Sequence, residues 1–124
     1  MYIGKLDKEI YRCITGDMVT DEVIITDRQL QHIKERHPDS YLRTIAYLET
    51  VLKSPDYIIE DKHADTGLVI KKVDTENGFI QVVLRLWTAS NDGLHKNSII
   101  SCWRISHARL MNYLRNKRIL YKKM

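Results

Sequence analysis

The sequence predicts an α+β fold in which N-terminal helices precede a four-stranded antiparallel sheet, with a further helix near the C-terminus. Three observations carry this. Apolar residues recur at helical spacing between residues 27 and 54, alternate at strand spacing between 57 and 105, and return to helical spacing from 106 to 117. At 124 residues the chain fits one core, so residues 1–124 are read as a single domain with no repeats and no linker.

Residues 1–25 mix short β-branched runs, Ile10-Tyr-Arg-Cys-Ile14 and Val23-Ile-Ile25, around a Thr15-Gly-Asp17 turn signal. They predict an N-terminal extended arm or hairpin. Thr26 followed by Gln29 makes a capping box, and the helix it opens runs from 27 to 37, where Pro38 stops it. Leu30, Ile33 and His37 share one face of that helix, which turns His37 toward the rest of the protein beside Arg36. A second helix follows, capped by Asp39, with Tyr41, Ile45, Leu48 and Leu52 as its apolar stripe and Ser54-Pro55 as its end.

From Asp56 the period becomes that of strands, at 57–60, 68–73, 79–87 and 97–105, with Asn77-Gly78 closing the tightest hairpin. In the third of these Ile80, Val82, Leu84 and Leu86 lie on one face and Gln81, Val83, Arg85 and Trp87 on the other. The expectation is a sheet covered by helices on one side and open on the other. If Leu68, Ile70 and the Ile80 side form the core, Lys71 and Arg85 both point to the open side. The strand at 97–105 stays undecided, because Ile99 and Ile100 offer each face an isoleucine. Residues 88–96 read as a loop. Residues 106–117 read as an amphipathic helix with Leu110, Tyr113 and Leu114 inward, and 118–123 as a short edge strand or docked end.

Composition narrows the function classes. With 44% hydrophobic and 29% charged residues the chain is that of a globular protein, and no apolar run is long enough to span a membrane. The start Met-Tyr-Ile-Gly-Lys-Leu-Asp lacks a signal-peptide core, so a cytoplasmic protein is expected, or a domain delivered into a target cell's cytoplasm from a larger toxin. Cys13 and Cys102 form no ligand pair, and the five histidines show no metal-binding spacing, so neither metal nor cofactor is expected. The net charge of +4 divides unevenly: residues 1–92 carry −4, and residues 93–124 carry eight basic and no acidic side chains. Such a segment attracts polyanions, a nucleic acid or an anionic membrane surface, unless it is simply a solvated helix face.

Cutting a phosphodiester without a metal takes a base for the 2′-hydroxyl, cations for the crowded phosphorane and an acid for the leaving oxygen. His37, Lys71 and Arg85, with Ser101 as a phosphate donor, are the right types. Each also has a plainer role: a helix-end cap for His37, solvated strand positions for Lys71 and Arg85, packing for Trp87 and Trp103.

The runs Val23-Ile-Ile-Thr-Asp-Arg-Gln-Leu-Gln-His-Ile-Lys-Glu-Arg-His-Pro-Asp39, Lys53-Ser-Pro-Asp-Tyr-Ile-Ile-Glu-Asp61, Asn97-Ser-Ile-Ile-Ser-Cys-Trp103 and Arg118-Ile-Leu-Tyr-Lys-Lys123 together resemble the phage-associated branch of the barnase, EndoU, colicin and RelE-like nucleases, over roughly residues 3 to 122. The resemblance implies N-terminal helices before a four-stranded antiparallel sheet, and metal-independent endoribonuclease activity leaving a 2′,3′-cyclic phosphate. It puts the family's Arg-His pair on Arg36 and His37, its strand cations on Lys71 and Arg85, and its hydroxyl on Ser101, where related sequences carry threonine. Serine keeps the hydroxyl and loses the methyl that fixes its rotamer. Arg36, Trp87, Lys96 and Arg104 are the expected RNA-binding residues. The second acid or base is open among His63, His95 and Lys71. The expected partners are RNA and, for a toxin, an acidic immunity protein or antitoxin, with no membrane. The competing expectation is a non-catalytic RNA- or protein-binding module of a phage or mobile element.

Overall fold

The computed structural model describes residues 1–73, 78–91 and 95–124. In chain order the elements are β1 (Tyr2–Lys5), α1 (Lys8–Tyr11), β2 (Glu22–Ile24), α2 (Asp27–Arg36), α3 (Tyr41–Ala46), α4 (Leu48–Lys53), β3 (Tyr57–Glu60), β4 (Thr66–Lys72), β5 (Gly78–Arg85), β6 (Asn97–Ser106), α5 (His107–Asn116) and β7 (Ile119–Lys122). The α+β class and the helix near the C-terminus are as expected. The four-stranded sheet is corrected to seven strands in the order β1-β2-β6-β5-β4-β3-β7, and the expected order of helices before sheet is corrected with it, because β1 precedes every helix and β2 precedes α2 to α4 in the chain. Among the described residues no helix is long and apolar enough to cross a membrane.

Beyond the four strands read between 57 and 105, β7 is the short edge strand expected at 118–123, and β1 and β2 come from the N-terminal segment read as an extended arm or hairpin. β2 is three residues long and joins β6 in parallel, pairing Val23 with Asn97, while β1 folds back antiparallel on β2. β7 pairs antiparallel with β3 at the other end of the sheet. The run at 10–14, expected to be extended, instead contains the end of α1: the Asp7 carboxylate accepts the Glu9 N–H at 2.9 Å, and buried Tyr11 donates its hydroxyl to the Leu52 carbonyl at 2.6 Å. Burial of that ring against α4 outweighs the β-branched propensity around it.

The helix from 27 has its full capping box, Gln29 N–H to the Thr26 hydroxyl and Thr26 N–H to the Gln29 amide, both at 3.1 Å. The single helix expected after it is divided. At Tyr47 the N–H bonds the Thr44 carbonyl three residues back, tightening the chain between α3 and α4. Ser40 rather than Asp39 is its N-cap. The hairpin expected at Asn77-Gly78 has Asn77 outside the described residues, but β4 and β5 pair antiparallel from Lys72 with Phe79 to Thr66 with Arg85. Of the loop expected at 88–96, Thr88 bridges Met18, and 92–94 lie outside the described residues.

Strand register decides the faces. Val69, Lys71, Ile80, Val82, Leu84, Ile99 and Cys102 share the side covered by α1 to α4, where Tyr11, Ile33, Leu48 and Val51 complete the larger core. Leu68, Ile70, Phe79 and Ile105 share the opposite side, where Leu110 of α5 packs on them with Tyr113 and Leu114. The expectation of one covered and one open face is therefore corrected: both faces bury aliphatic side chains. Beyond α5 on that side, Arg85 and Ile100 are exposed and Val83, Ser101 and Trp103 are half-buried.

Candidate functional site

His37 owes its place to both ends of α2. The capping box starts the helix, Ile33 anchors it in the core, and the His37 N–H closes the last turn on the Ile33 carbonyl at 2.8 Å before Pro38. The imidazole reaches β6 and stacks on Trp103, ring centroids 5.6 Å apart and planes within 14°. Among the described residues neither ring nitrogen of His37 has a hydrogen-bond partner, so the ring is held by stacking with its polar edge uncommitted.

Trp103 pairs with Gln81, and Ser101, two residues along β6, pairs with Val83, so both belong to the α5 side of the sheet. Arg85 belongs to it as well, two residues beyond Val83 on β5 and paired with Thr66 and Ser98. Strand rise and spacing put the Arg85 Cα about 8 Å from that of Ser101, within reach of a guanidinium on its three-carbon stem. Ser101 thus lies between the His37–Trp103 stack and Arg85. Arg85 is exposed and, among the described residues, has no acidic partner.

The remaining candidates are dispersed. Lys71 is opposite Ile80, on the helix-covered side, so the expectation that it and Arg85 project from one open face is corrected. Its ammonium donates to the Ser54 carbonyl at 2.6 Å and lies 3.8 Å from the Asp56 carboxylate, closing the C-terminal end of α4. Lys96 is ion-paired to Glu22 at 2.5 Å beside the β2–β6 junction. Trp87 packs against His95, centroids 4.5 Å apart, away from the stack on Trp103. Arg104 shares the side of Ile80, and its guanidinium lies over Gly78, where a Cβ would collide with it. Arg36 is exposed next to His37.

Two polar residues that sequence reasoning passed over shape the surroundings. Asn97 is fully buried, donates to the Thr20 carbonyl and accepts the Trp87 N–H, each at 2.8 Å, so it ties the start of β6 to the N-terminal segment and the end of β5. Gln81 is buried between Ile70 and Trp103 with its side-chain oxygen unpartnered. An asparagine opening a strand and a glutamine inside an aliphatic one were the signals available. Burial pushes the Cys102 thiol up to about 12 and raises that of half-buried Cys13, so both favour the neutral thiol over a nucleophilic thiolate. Among the described residues no three His, Cys, Asp or Glu side chains gather as a metal-ligand group.

A single hydroxyl flanked by an imidazole and a guanidinium on an open sheet face can hold a phosphate and move a proton beside it. No curated protein and no solved structure matches the chain at the significance required. The family profile described as phage-Barnase-EndoU-ColicinE5/D-RelE like nuclease2 matches residues 3–122.

Proposed function

The chain belongs to the phage-Barnase-EndoU-ColicinE5/D-RelE like nuclease2 family, and from that premise we propose that it is an endoribonuclease. It cuts RNA by attack of a ribose 2′-hydroxyl on the adjacent phosphate, leaving a 2′,3′-cyclic phosphate. The observation that carries this reading is the order His37–Trp103, Ser101, Arg85 along one open sheet face. A phosphate over Ser101 receives a hydrogen bond from its hydroxyl. Arg85 reaches the same phosphate and offsets the charge that builds on the phosphorane. His37 takes the proton of the 2′-hydroxyl, and the departing 5′-oxygen takes one from solvent, which reaches this open face freely. Arg36 guides the strand past the stack. Lys71 has no part in this step; its role is to close α4.

Total RNA incubated with the purified protein in EDTA tests the reading, followed by mapping of the ends. The expected result is discrete ends bearing cyclic phosphate, with His37→Ala slower by at least ~100-fold. RNA left intact by a protein that still binds it in a salt-dependent way would replace cleavage with the non-catalytic binding reading. A small acidic protein that co-purifies with the chain and abolishes cleavage is the expected form of an immunity protein or antitoxin partner, in a cytoplasm that holds both.

A further inference from the structure

We infer that the cleft beyond Arg85 is a nucleobase subsite for the nucleotide next to the phosphate over Ser101, an inference that rests on reading this sheet face as RNA-cleaving. His63, Ala64, Thr66, Val83, Arg85 and Ile100 line a cleft of about 430 Å³, a size within the range that small-ligand sites occupy.

The cleft is made by a departure from regular pairing. Val83 opposes Ser101 and Leu84 opposes Ile99, so Ile100 is the extra residue of a β-bulge. A bulge re-aims a side chain that simple alternation would send through to the other face. Here it turns Ile100 out beside Val83 and leaves it 39% exposed, an aliphatic surface in front of an arginine. The opposite wall is the β3–β4 connection, whose shape is fixed locally. The Asp61 carboxylate accepts the His63 N–H at 3.0 Å, and Asp65 takes a left-handed conformation with φ of 57°, which Asp tolerates better than most residues. The Thr66 hydroxyl donates to the Ala64 carbonyl at 2.9 Å. The lining thus combines two aliphatic side chains, Val83 and Ile100, with His63, Arg85 and a Thr66 hydroxyl that can still accept.

That set suits a flat, uncharged ring attached to a phosphate. The ring rests on Val83 and Ile100 and stacks on His63, while the phosphate stays with Arg85. Continuity with the site supports a nucleobase as the occupant, because Arg85 belongs to both the cleft and the phosphate position over Ser101. His63 on this reading is a stacking wall and not the second acid or base, since Arg85 and Ser101 separate it from His37.

The test is binding of a 2′-deoxyribose tetranucleotide, which lacks the attacking hydroxyl and stays intact whether or not the protein cuts RNA. Amide and methyl NMR shifts should move at His63, Thr66, Val83 and Ile100. Ile100→Asp and His63→Ala should each raise Kd about tenfold, the size expected for losing one stacked base. Both side chains are exposed, and retained NMR dispersion identifies variants that still fold; Ile100→Ala serves if Ile100→Asp does not. Shifts confined to the His37–Trp103 end, or unchanged Kd in both variants, overturn the subsite even if RNA is cleaved. The same shifts in a protein that leaves RNA intact support the subsite and remove the cleavage reading instead.

Discussion

At the scale of single residues, two cations of similar appearance in the sequence part company. Arg85 is exposed on the open sheet face, whereas the Lys71 side chain is 15% exposed and spends its ammonium on the Ser54 carbonyl and the Asp56 carboxylate. Removing a charged donor from such a site leaves a half-buried carbonyl and carboxylate without their partner, at a cost of about 1–2 kcal/mol. Lys71→Met is expected to lower the melting temperature by several degrees and Arg85→Met to leave it nearly unchanged, as scanning calorimetry would show. Equal melting temperatures would remove the structural role given to Lys71. His37 was legible in the sequence because Thr26, Gln29 and Pro38 bracket its helix and Leu30, Ile33 and His37 keep helical spacing. Lys71 was not, because alternation says which residues share a face and not which aliphatic face the helices cover.

At the scale of elements, β6 joins the two cores, with Cys102 on the side of α1 to α4 and Trp103 on the side of α5. The buried thiol makes this strand sensitive to alkali. Its ordinary value near 9 applies in the unfolded chain and about 12 in the folded one. Between these the unfolded chain has lost a proton that the folded chain keeps, so stability is intact below pH 9 and falls as pH rises toward 12. The slope is at most about 1.4 kcal/mol per pH unit. Buried Tyr11, also shifted upward, adds to the loss from about pH 10. Urea midpoints at pH 8 and 10.5 should drop more for the wild type than for Cys102→Ala; equal drops would dismiss the contribution of the thiol. Helix α2, strands β3 to β5 and helix α5 were legible from periodicity and caps. The bulge at Ile100 and the parallel pairing of β2 with β6 were not: a single inserted residue leaves no mark on hydrophobic alternation, and the extended run at Val23-Ile-Ile25 does not show which strand it joins.

At the scale of the whole molecule, folding changes the meaning of the charge asymmetry. Part of the basic segment after residue 92 is met by acidic and polar groups of the first part of the chain: Lys96 pairs with Glu22, Arg118 approaches Glu60 at 3.7 Å, and Lys123 reaches the Ser54 hydroxyl. Arg85 and Arg36 are the exposed cations assigned to the candidate site. With each phosphate contact on a single strand contributing a slope of about −0.7, log Kobs for a short oligonucleotide should fall with log salt at about −2 or less steeply. A slope near −6, the value if all eight basic residues of the segment engaged phosphates, would show that the strand runs elsewhere.

The parallel pairing of β2 with β6 also governs when the site comes into being. Glu22 and Lys96, which clasp that junction, are 74 residues apart, and His37 meets Trp103 across a similar span. Contacts of such separation form late, because the loop they close must be immobilised before any of them is made. During synthesis from the N-terminus, α2 and its histidine emerge long before the strand they serve. The candidate site therefore cannot assemble through most of translation, and His37, Trp103, Ser101 and Arg85 come together only when β6 docks between β2 and β5.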